Sequence, residues 1–341
     1  MQYEITTAIP LLDQRGNLTR AGWARKLLPI YDRSRVRGWL KEWDYYYVGN
    51  DQFGLALTIA DNRYMGMASV SFLSFGKEPW HVTRSHIKLF PMGRTGLPTT
   101  SAEGVSSLSG KGYALTFMVE GCHRELYAHM ENFHNGQPLD AELTLSNEPE
   151  ESMVICIPFE KKRHFYFNQK INCLRATGRV RIGDTTYTFR PSDSFGVLDW
   201  GRGVWTCHNT RYWASASGAI HGEDFGFNLG CGFGDTSAAT ENLLFYKGKV
   251  HKLGNVLFRI SRGNNGREDY LKPWSFVSDD GRFKMEFDPI VDRAARTDLK
   301  PLKSDQHQVF GRFTGTAVLD DGSAVAVRDL MGFAEKVETR W

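Results

Sequence analysis

Along most of the chain, apolar and polar residues alternate with a period of two, the pattern of half-buried β-strands. From Arg37 to Phe75, β-prone stretches are separated by the turn residues Asn50-Asp51 and Asp61-Asn62. Two later segments are predicted to be hairpins closed at Gly183-Asp184 and at Asp320-Asp321-Gly322. Strands and helices do not alternate regularly, which disfavours a parallel α/β sheet. The sequence therefore predicts an all-β protein with antiparallel sheets.

The predicted strands form two runs of similar plan, each after an irregular lead, which suits two antiparallel β-barrels in tandem. The boundary is predicted near residues 190–197, where Pro191 and its polar neighbours interrupt the strands. The predicted organisation is an irregular N-terminal segment at 1–34, a first barrel at 35–194 and a second barrel at 195–341. A chain of 341 residues is long enough for two such domains.

Two kinds of segment depart from the period of two. Residues 93–112 are rich in Gly, Ser and Thr and hold no periodic apolar face, so we predict a long loop there. Helices are expected to be few and short, at residues 19–31 and in the C-terminal Met331–Glu338 region.

Composition supports a fully folded protein and excludes several kinds of partner. Hydrophobic residues make up 41% and charged residues 24%, which rules out long disordered stretches. Lys and Arg total 42 against 39 Asp and Glu, so charge gives no reason to expect nucleic acid or an anionic membrane as a partner. No apolar run approaches the roughly 18 residues that a membrane helix needs.

Cysteine usage and the N-terminus indicate the compartment. The cysteines are odd in number and form no CxxC or CxC pair; they are Cys122, Cys156, Cys173, Cys207 and Cys231. Free thiols in a reducing compartment are the simple interpretation. The first residues lack the charged region and apolar core of a secretory signal. We therefore expect a cytoplasmic protein.

The most informative segment surrounds Asp199. As a strand, it places Asp199 on one face together with two glycines and Trp205. Trp200 and Arg202 take the other face. An acid beside glycines and an indole makes a small hollow with a carboxyl group in it. The alternative is that Asp199 pairs with Arg202 or Arg211 and fixes a strand corner.

A glycine-rich strand follows at residues 225–234, where apolar side chains alternate with glycines. The glycine face is bare backbone apart from Asn228. Glycine inside a strand costs roughly 0.5–1 kcal/mol relative to alanine, so something must approach this face near Gly230 and Gly232. The approaching group is either a ligand inside a barrel or another sheet packed tightly, and both alternatives stay open.

Other chemical signals are weaker. Asp235 and Glu241 could act as a general acid and base, or as turn and capping groups. The segment His221-Gly222-Glu223-Asp224 has metal-capable side chains, but no second His lies at helical spacing, so no metal is predicted. Neither a nucleotide-binding motif nor a Gly-x-Ser-x-Gly motif is present, and we expect no cofactor.

Several motifs spread along almost the whole chain carry a resemblance to a known family. They are Asp13-Gln14-Arg15-Gly16-Asn17-Leu18, Gly22-Trp23-Ala24-Arg25-Lys26, Lys41-Glu42-Trp43-Asp44-Tyr45-Tyr46, Leu198-Asp199-Trp200-Gly201-Arg202-Gly203-Val204-Trp205, Asn228-Leu229-Gly230, Thr240-Glu241-Asn242, His251-Lys252-Leu253 and Gly332-Phe333-Ala334-Glu335. With these motifs the chain resembles the bacterial and protist family DUF2804, a domain of unknown function.

More distantly, the chain is similar to the double-lipocalin proteins, which include carotenoid 1,2-hydratases, AttH-type proteins and some fungal cyclising enzymes. This resemblance implies two calycin-like (lipocalin-like) barrels side by side. In the hydratases, an acidic pocket residue near an Asp-His/Glu-Trp-Gly cluster is taken to protonate an alkene. The comparable place here, Leu198-Asp199-Trp200-Gly201, lacks the adjacent His or Glu, so Asp199 is carried over only as a candidate acid.

The preferred functional hypothesis is an enzyme of hydratase, isomerase or cyclase type that needs no cofactor. It would act by acid catalysis on an apolar, isoprenoid- or lipid-like small molecule in a barrel pocket. Asp199 or Glu241, held away from water and protonated near neutral pH, would be the catalytic acid. The rings of Trp200, Trp205 and Trp213 would stabilise the resulting cation.

The alternative is a binding protein that holds a hydrophobic ligand in the same pocket without altering it. Arg202, Arg211 and Asn228 would orient a polar head group. Gly230 and Gly232 would leave room for the ligand. A barrel with one acid and several aromatic side chains serves both functions, because fold alone does not decide function.

Overall fold

The computed structural model describes residues 2–206, 208–299 and 302–340, so Cys207 lies outside the described residues. Within these ranges nearly every element is a strand, and the helical part is one 3-10 turn, Arg33–Arg35. The strands before residue 150 are β1 (Ile9–Pro10), β2 (Gly22–Ala24), β3 (Pro29–Ile30), β4 (Lys41–Gly49), β5 (Phe53–Asp61), β6 (Met65–Ser74), β7 (Trp80–Leu89), β8 (Gly104–Gly110), β9 (Tyr113–Glu120), β10 (His123–His134) and β11 (Gln137–Ser146). The later strands are β12 (Met153–Pro158), β13 (Phe165–Ile182), β14 (Thr185–Phe189), β15 (Phe195–Val204), β16 (His208–Ile220), β17 (Glu223–Cys231), β18 (Leu243–Tyr246), β19 (Lys249–Lys252), β20 (Val256–Ile260), β21 (Trp274–Ser278), β22 (Phe283–Leu299), β23 (Leu302–Val318) and β24 (Ala324–Arg340).

The strands form two large antiparallel sheets, each curled into a half-barrel. The first sheet follows the order β7-β6-β5-β4-β15-β13-β11-β10-β9-β8, with β12 and β14 paired to β13 and with β2 paired to β12. The second follows the order β19-β18-β17-β16-β24-β23-β22-β21-β20. A short parallel pair, β1 with β3, accompanies them. The fold is all-β and has the tandem lipocalin-like plan.

The central strands bury both of their faces. Every residue of β15 is buried, and β4 is buried at all but one position. A sheet with one face in water would show alternating burial, so each sheet must be covered on both sides. On the inner face, Trp200 of β15 packs with Phe167 of β13 in the core of the first half-barrel. Phe227 of β17 and Phe313 of β23 belong to the core of the second.

The outer faces of the two sheets pack against each other. Tyr45 and Tyr47 of β4 share an apolar cluster with Trp213 of β16 and Phe333 of β24. The ring centres of Tyr45 and Trp213 are 5.7 Å apart, and those of Tyr47 and Phe333 are 5.6 Å apart. The two half-barrels therefore stand back to back, and the groups between them are shielded by both sheets.

A bulge in β13 fastens the first sheet to the second. The register with β15 shifts between Ile171 and Leu174, and Cys173 adopts a positive φ of 61°. The bulge directs the buried Asn172 toward the second sheet, where its Nδ2 donates to Ser215 Oγ at 2.8 Å and lies 3.2 Å from two backbone carbonyls. Buried polar groups need such partners, so this junction fixes how the sheets meet.

The predicted all-β fold of two lipocalin-like antiparallel barrels in tandem is confirmed, and each of the two sheets is curled into a half-barrel. The hairpins predicted at 183–184 and at 320–322 are confirmed by the pairing of β13 with β14 and of β23 with β24. In the described part of the chain, no helix has the length and apolarity needed to cross a membrane.

The helix expectations are wrong at both places. Residues 19–31 contain β2 and β3 instead, and Met331–Glu338 lies within β24. In β24, Phe333 faces the other half-barrel while Ala334 enters the inner core, so the period is two. The loop predicted at 93–112 is wrong in part, because Gly104–Gly110 is an edge strand whose exposed positions tolerate small polar residues.

The change from one sheet to the other falls late in the chain. β15 is hydrogen-bonded between β4 and β13 of the first sheet, and the second sheet begins at His208. The division at 190–197 into domains stays a prediction, because strand pairing records sheets rather than independently folding units.

The junction generates a stability prediction at Gly226, whose missing side chain lets Cys173 approach. A Cβ at this position would lie 2.6 Å from Ala216 O and 2.8 Å from Cys173 Sγ. Gly226→Ala should therefore lower the free energy of unfolding by about 1–3 kcal/mol through overpacking. Gly76→Ala is the matched control, since no atom lies within 4 Å of its Cβ. Equal urea midpoints for the two variants would contradict the prediction.

Candidate active site between the two sheets

Two rows of cross-strand neighbours face each other across the space between the sheets. The row of the first sheet is Lys170, Asp199, Tyr45, Thr58, Ser69 and Ser85. The row of the second sheet is Gly230, Trp213, Glu335, Gln308 and Arg293. Lys170 Nζ lies 4.4 Å from the centre of the Trp213 ring, and the Tyr45 hydroxyl lies 3.5 Å from Gln308 Oε1. The rows are opposite walls of one site.

A cavity of about 610 Å³ lies between these rows. Its aromatic walls are Trp43, Tyr45, Trp205, Trp213 and Phe233. Its polar wall groups include Asp199, Arg211, Arg293, Gln306, Gln308 and Glu335. Ligand pockets commonly measure about 300–1,000 Å³ and combine apolar walls with a few polar groups, as this cavity does.

A buried charge cluster stands at one end of the cavity. Asp199 and Lys170 each expose 2% of their surface. Lys170 Nζ lies 3.2 Å from Asp199 Oδ1 and 3.5 Å from Glu241 Oε2, so one ammonium lies between two carboxylates. Asn168 Nδ2 donates to Asp199 Oδ1 at 2.6 Å. Removing such charges from water costs several kcal/mol per ion, which only their mutual contacts can offset.

The loop that carries Glu241 is held by Asn228. Trp213 Nε1 donates to Asn228 Oδ1 at 2.7 Å, and Asn228 Nδ2 donates to the Glu241 carbonyl at 2.8 Å. A Cβ on Gly230 would lie 2.9 Å from Glu241 Oε2. The glycine at 230 therefore leaves room for a carboxylate of the protein itself.

A second acid, Glu335, faces the cavity beside Arg211. Arg211 Nη2 lies 3.5 Å from Glu335 Oε1, and Gln306 Nε2 donates to Glu335 Oε2 at 2.7 Å. Burial would lower the pKa of Arg211, but the charge of Glu335 and of other nearby acids outweighs burial, and the pKa is raised. This end of the cavity therefore holds Arg211 firmly in its charged form.

Aromatic rings enclose the charge cluster. The Trp43 ring centre lies 5.3 Å from that of Trp205, and Trp205 in turn lies 5.6 Å from Phe233. Burial first, and then the charges of Glu241 and Asp199, raise the pKa of Tyr166 well above its ordinary value. Tyr166 therefore keeps its proton and donates a hydrogen bond to Glu241.

The structure brings together most of the residues that the sequence singled out. The cavity lining includes Asp199, Trp205, Arg211 and Trp213. Immediately behind the cavity wall, a small adjoining hollow is lined by Gly230, Glu241 and Lys170. Asn228 also stands behind the wall, where it accepts a hydrogen bond from Trp213. The site lies between the half-barrels rather than inside either one.

Three of the predicted residues lie elsewhere. Trp200 and Arg202 are on the opposite face of β15, in the core of the first half-barrel, where Arg202 Nη1 lies 2.9 Å from Asp44 Oδ1. The guanidinium carbon of Arg202 lies 4.2 Å from the Trp200 ring centre. Gly232 follows β17 with a φ of 82°, and its Cβ would meet the Thr210 carbonyl, so backbone geometry accounts for it.

Asp199 pairs with neither Arg202 nor Arg211 as its close partner. Its partners are Lys170 and Asn168, which sequence reasoning missed, as it missed Glu335 as a cavity acid. The available signal was the spacing of Tyr166, Asn168 and Lys170 at every second position of β13, which places the three side chains on one face. Asp235, the other candidate acid, caps a turn by accepting from the Ser237 backbone N–H at 2.9 Å.

Among the residues that the structure describes, no three His, Cys, Asp or Glu side chains are placed to hold a metal ion. The groups that face the cavity are suited to proton transfer and to ion pairing. They are carboxylates, guanidinium groups and amides next to aromatic rings, and the Lys170 ammonium contacts Asp199 from behind the cavity wall.

The fold and the site define a class of protein built from two half-barrels packed back to back, with an acid–base cluster at a cavity between them. The chain belongs to the family DUF2804, a domain of unknown function, whose family model matches residues 2–341. No curated protein matched the sequence.

Three solved structures are similar to the chain in fold. Kievitone hydratase from Nectria haematococca has a TM-score of 0.50 and 10% identity, over 100% of this chain and 97% of that one. An AttH-type protein from Nitrosomonas europaea has a TM-score of 0.53 and 11% identity, over 96% and 98%. CghA with Sch210972 has a TM-score of 0.49 and 10% identity, over 88% of each chain. At these identities the likeness shows the fold alone.

The charge cluster generates a prediction for Lys170. Lys170→Met should lower the free energy of unfolding by about 3–5 kcal/mol, because it leaves two carboxylates buried without their cation. Adding Asp199→Asn should restore part of the loss, since one of those charges is then gone. Chemical denaturation of the single and double variants measures both effects.

Lys247→Met is the matched control for this experiment. Lys247 pairs with Glu223 at 2.9 Å, but both side chains are about half exposed, and such exposed pairs contribute little to stability. A loss in Lys170→Met no larger than that of the control would show that the cluster is not a buried charge unit.

Proposed function

We propose that the protein is a cofactor-independent enzyme that uses acid–base chemistry on a small, largely apolar molecule in the cavity between the sheets. Addition or removal of water at a carbon–carbon double bond, or a related isomerisation or cyclisation, is the reaction class. The single observation behind the proposal is the buried Asp199–Lys170–Glu241 cluster, of which Asp199 lines a cavity with aromatic sides.

The position of the cluster supports this chemistry. Paired charges of purely structural use can be replaced by apolar residues at little loss, whereas a cavity beside them gives a substrate access to their protons. Asp199 uses Oδ1 for its contacts with Asn168 and Lys170. Its second oxygen, Oδ2, is then the atom that would reach a molecule in the cavity.

The proposed proton path runs from the Lys170 ammonium through Asp199 to one carbon of the double bond. A water molecule then adds to the other carbon, and the surplus proton of that water returns through Asp199 to Lys170. The cluster thus ends in its starting state, and the reverse sequence removes water. The ring faces of Trp205 and Trp213 would stabilise the positive charge that develops between the two steps.

Glu241 stays a second candidate for the catalytic acid, because it contacts Lys170 from the other side. The fold likeness to kievitone hydratase is compatible with a hydratase-type reaction, but the proposal depends on the cluster and not on that likeness.

A non-catalytic binding protein for a hydrophobic ligand is the second candidate function. One observation favours it: Asp199 Oδ1 already has a cation and an amide as partners, as a structural ion pair would. In that case the cluster would only shape the cavity, and Arg211 with the amides would orient the ligand.

The test begins with native mass spectrometry of protein purified without detergent, and with identification of any extracted molecule. That molecule is then incubated with the protein in D₂O, since protonation of carbon by the cluster incorporates solvent deuterium. Asp199→Asn should still bind the molecule but lose deuterium incorporation and turnover by roughly two to four orders of magnitude.

Glu241→Gln tests the second acid, and Asp140→Asn, at an exposed pair with Arg181, is the matched control. Turnover at the wild-type rate in both cluster variants would reject Asp199 and Glu241 as the catalytic acid. Binding without turnover in the wild type, with every variant alike, would favour the binding protein.

A further inference from the structure

We infer that the ligand of the inter-sheet cavity carries a carboxylate, which Arg293 binds at the end of the cavity away from Asp199. The inference rests on the proposed function in that both place a ligand in this cavity, and it adds the chemical class of the ligand. The groups that carry it are a guanidinium that has no acidic partner among the described residues and the hydroxyl groups around it.

Arg293 differs from Asp199 and Arg211 in its partners. Arg84, the third arginine of the lining, also has no ion pair among the described residues, but its side chain is exposed and its Nε donates to the Asn132 carbonyl. Asp199 is paired with Lys170, and Arg211 with Glu335. Arg293 Nη1 donates to Ser71 Oγ at 2.8 Å, and no ion pair joins Arg293 to a carboxylate among the described residues. Across the strands its neighbour in the row is Gln308, which is neutral. A cation beside a cavity and without a counter-ion favours an anionic ligand.

The net charge of the cavity wall also favours an anionic ligand. Three arginines and two acids line the cavity, so its wall carries a positive excess. His81 lines the same end as Arg293, and its ring nitrogen Nδ1 is buried without a hydrogen-bond partner. Burial first, and then the charge of Arg293, lower the pKa of His81, so its ring is neutral and adds no second positive charge at this end.

Hydroxyl groups complete this end of the cavity. Ser71 and Ser69 of β6 face Thr83 and Ser85 of β7, with hydroxyl pairs at 2.8 Å. Hydroxyls can turn to donate, and a guanidinium binds a carboxylate through two parallel N–H donors. β7 is the edge strand of the sheet and is largely exposed, so an anionic group at Arg293 would sit near water.

The two ends of the site set the length of the ligand. Asp199 on β15 and Ser69 on β6 are separated by three strand spacings, which amounts to about 14 Å. Tyr45 and Thr58 lie between them in the row, next to the aromatic wall. The ligand is therefore an amphiphile with an apolar body over Tyr45, a reacting group at Asp199 and an acid group at Arg293.

The probes for this inference are dodecanoate, dodecan-1-ol and dodecyl phosphate, below their micelle concentrations, with isothermal titration calorimetry as the measurement. The wild type should bind dodecanoate about tenfold or more tightly than dodecan-1-ol, because a charge-assisted contact adds to the same apolar burial. Arg293→Gln should abolish that preference and leave the affinity for dodecan-1-ol unchanged, which also shows that the cavity is intact.

Arg293→Lys should keep part of the preference for dodecanoate, because lysine keeps the positive charge but cannot form the bidentate hydrogen bonds of a guanidinium. Arg312→Gln is the matched control, since Arg312 pairs with Asp51 and does not line the cavity. Equal affinity of the wild type for acid and alcohol, a preference that survives Arg293→Gln, or a failure of all three probes to bind would overturn the inference. Tighter binding of dodecyl phosphate than of dodecanoate would overturn the assignment to a carboxylate.

The same titrations in Asp199→Asn separate this inference from the proposed function. An acid preference kept in Asp199→Asn, together with no turnover in the wild type, leaves the inference standing and removes the enzyme. Turnover of an uncharged molecule, with no acid preference in the wild type, removes the inference and leaves the enzyme.

Discussion

The packing of the two sheets through their outer faces is the constraint on which the candidate site depends. Since the inner faces already hold apolar cores, a second covered face leaves polar side chains no contact with bulk water. Each such group must find its partner within the interface or lose stability. Asn172 does so at the junction, and Lys170 with Asp199 does so beside the cavity. Charged side chains that would be solvated on an ordinary sheet surface are therefore shielded from bulk solvent here and held in place by their mutual contacts.

The strands and the fold class could be predicted from the sequence, because alternation along a strand is a local property. The segment Met331–Glu338 shows the limit of this reasoning. Its apolar residues serve both the inner core and the other half-barrel, so the pattern also fits a helix, and only pairing with β16 and β23 selects the strand. For the same reason the edge strand Gly104–Gly110, with few buried positions, carried no recognisable pattern.

The candidate site could be predicted only in part. The faces of β15 were separated correctly, with Asp199 on one and Trp200 and Arg202 on the other. Which of them meets a cavity is not encoded locally, because both faces are buried and both hold charged residues. The pairing of Asp199 with Lys170 is a cross-strand contact set by register. Glu335 lies on β24, far from Asp199 in the sequence. The residues around Asp199 therefore indicate neither Lys170 nor Glu335.

Fold and chemistry reside on different faces of the same strands. The inner cores and the junction at Asn172 and Cys173 hold the half-barrels together, and they need only apolar volume and one bulge. The outer rows hold the charges of the candidate site, whereas the inner faces of β15 and β4 hold the Arg202–Asp44 pair. This division allows the same fold to occur in proteins that are only 10–11% identical to this chain. The chemistry of this chain therefore depends on its own rows, in which a buried charge cluster stands at one end and a guanidinium without a carboxylate partner among the described residues stands at the other.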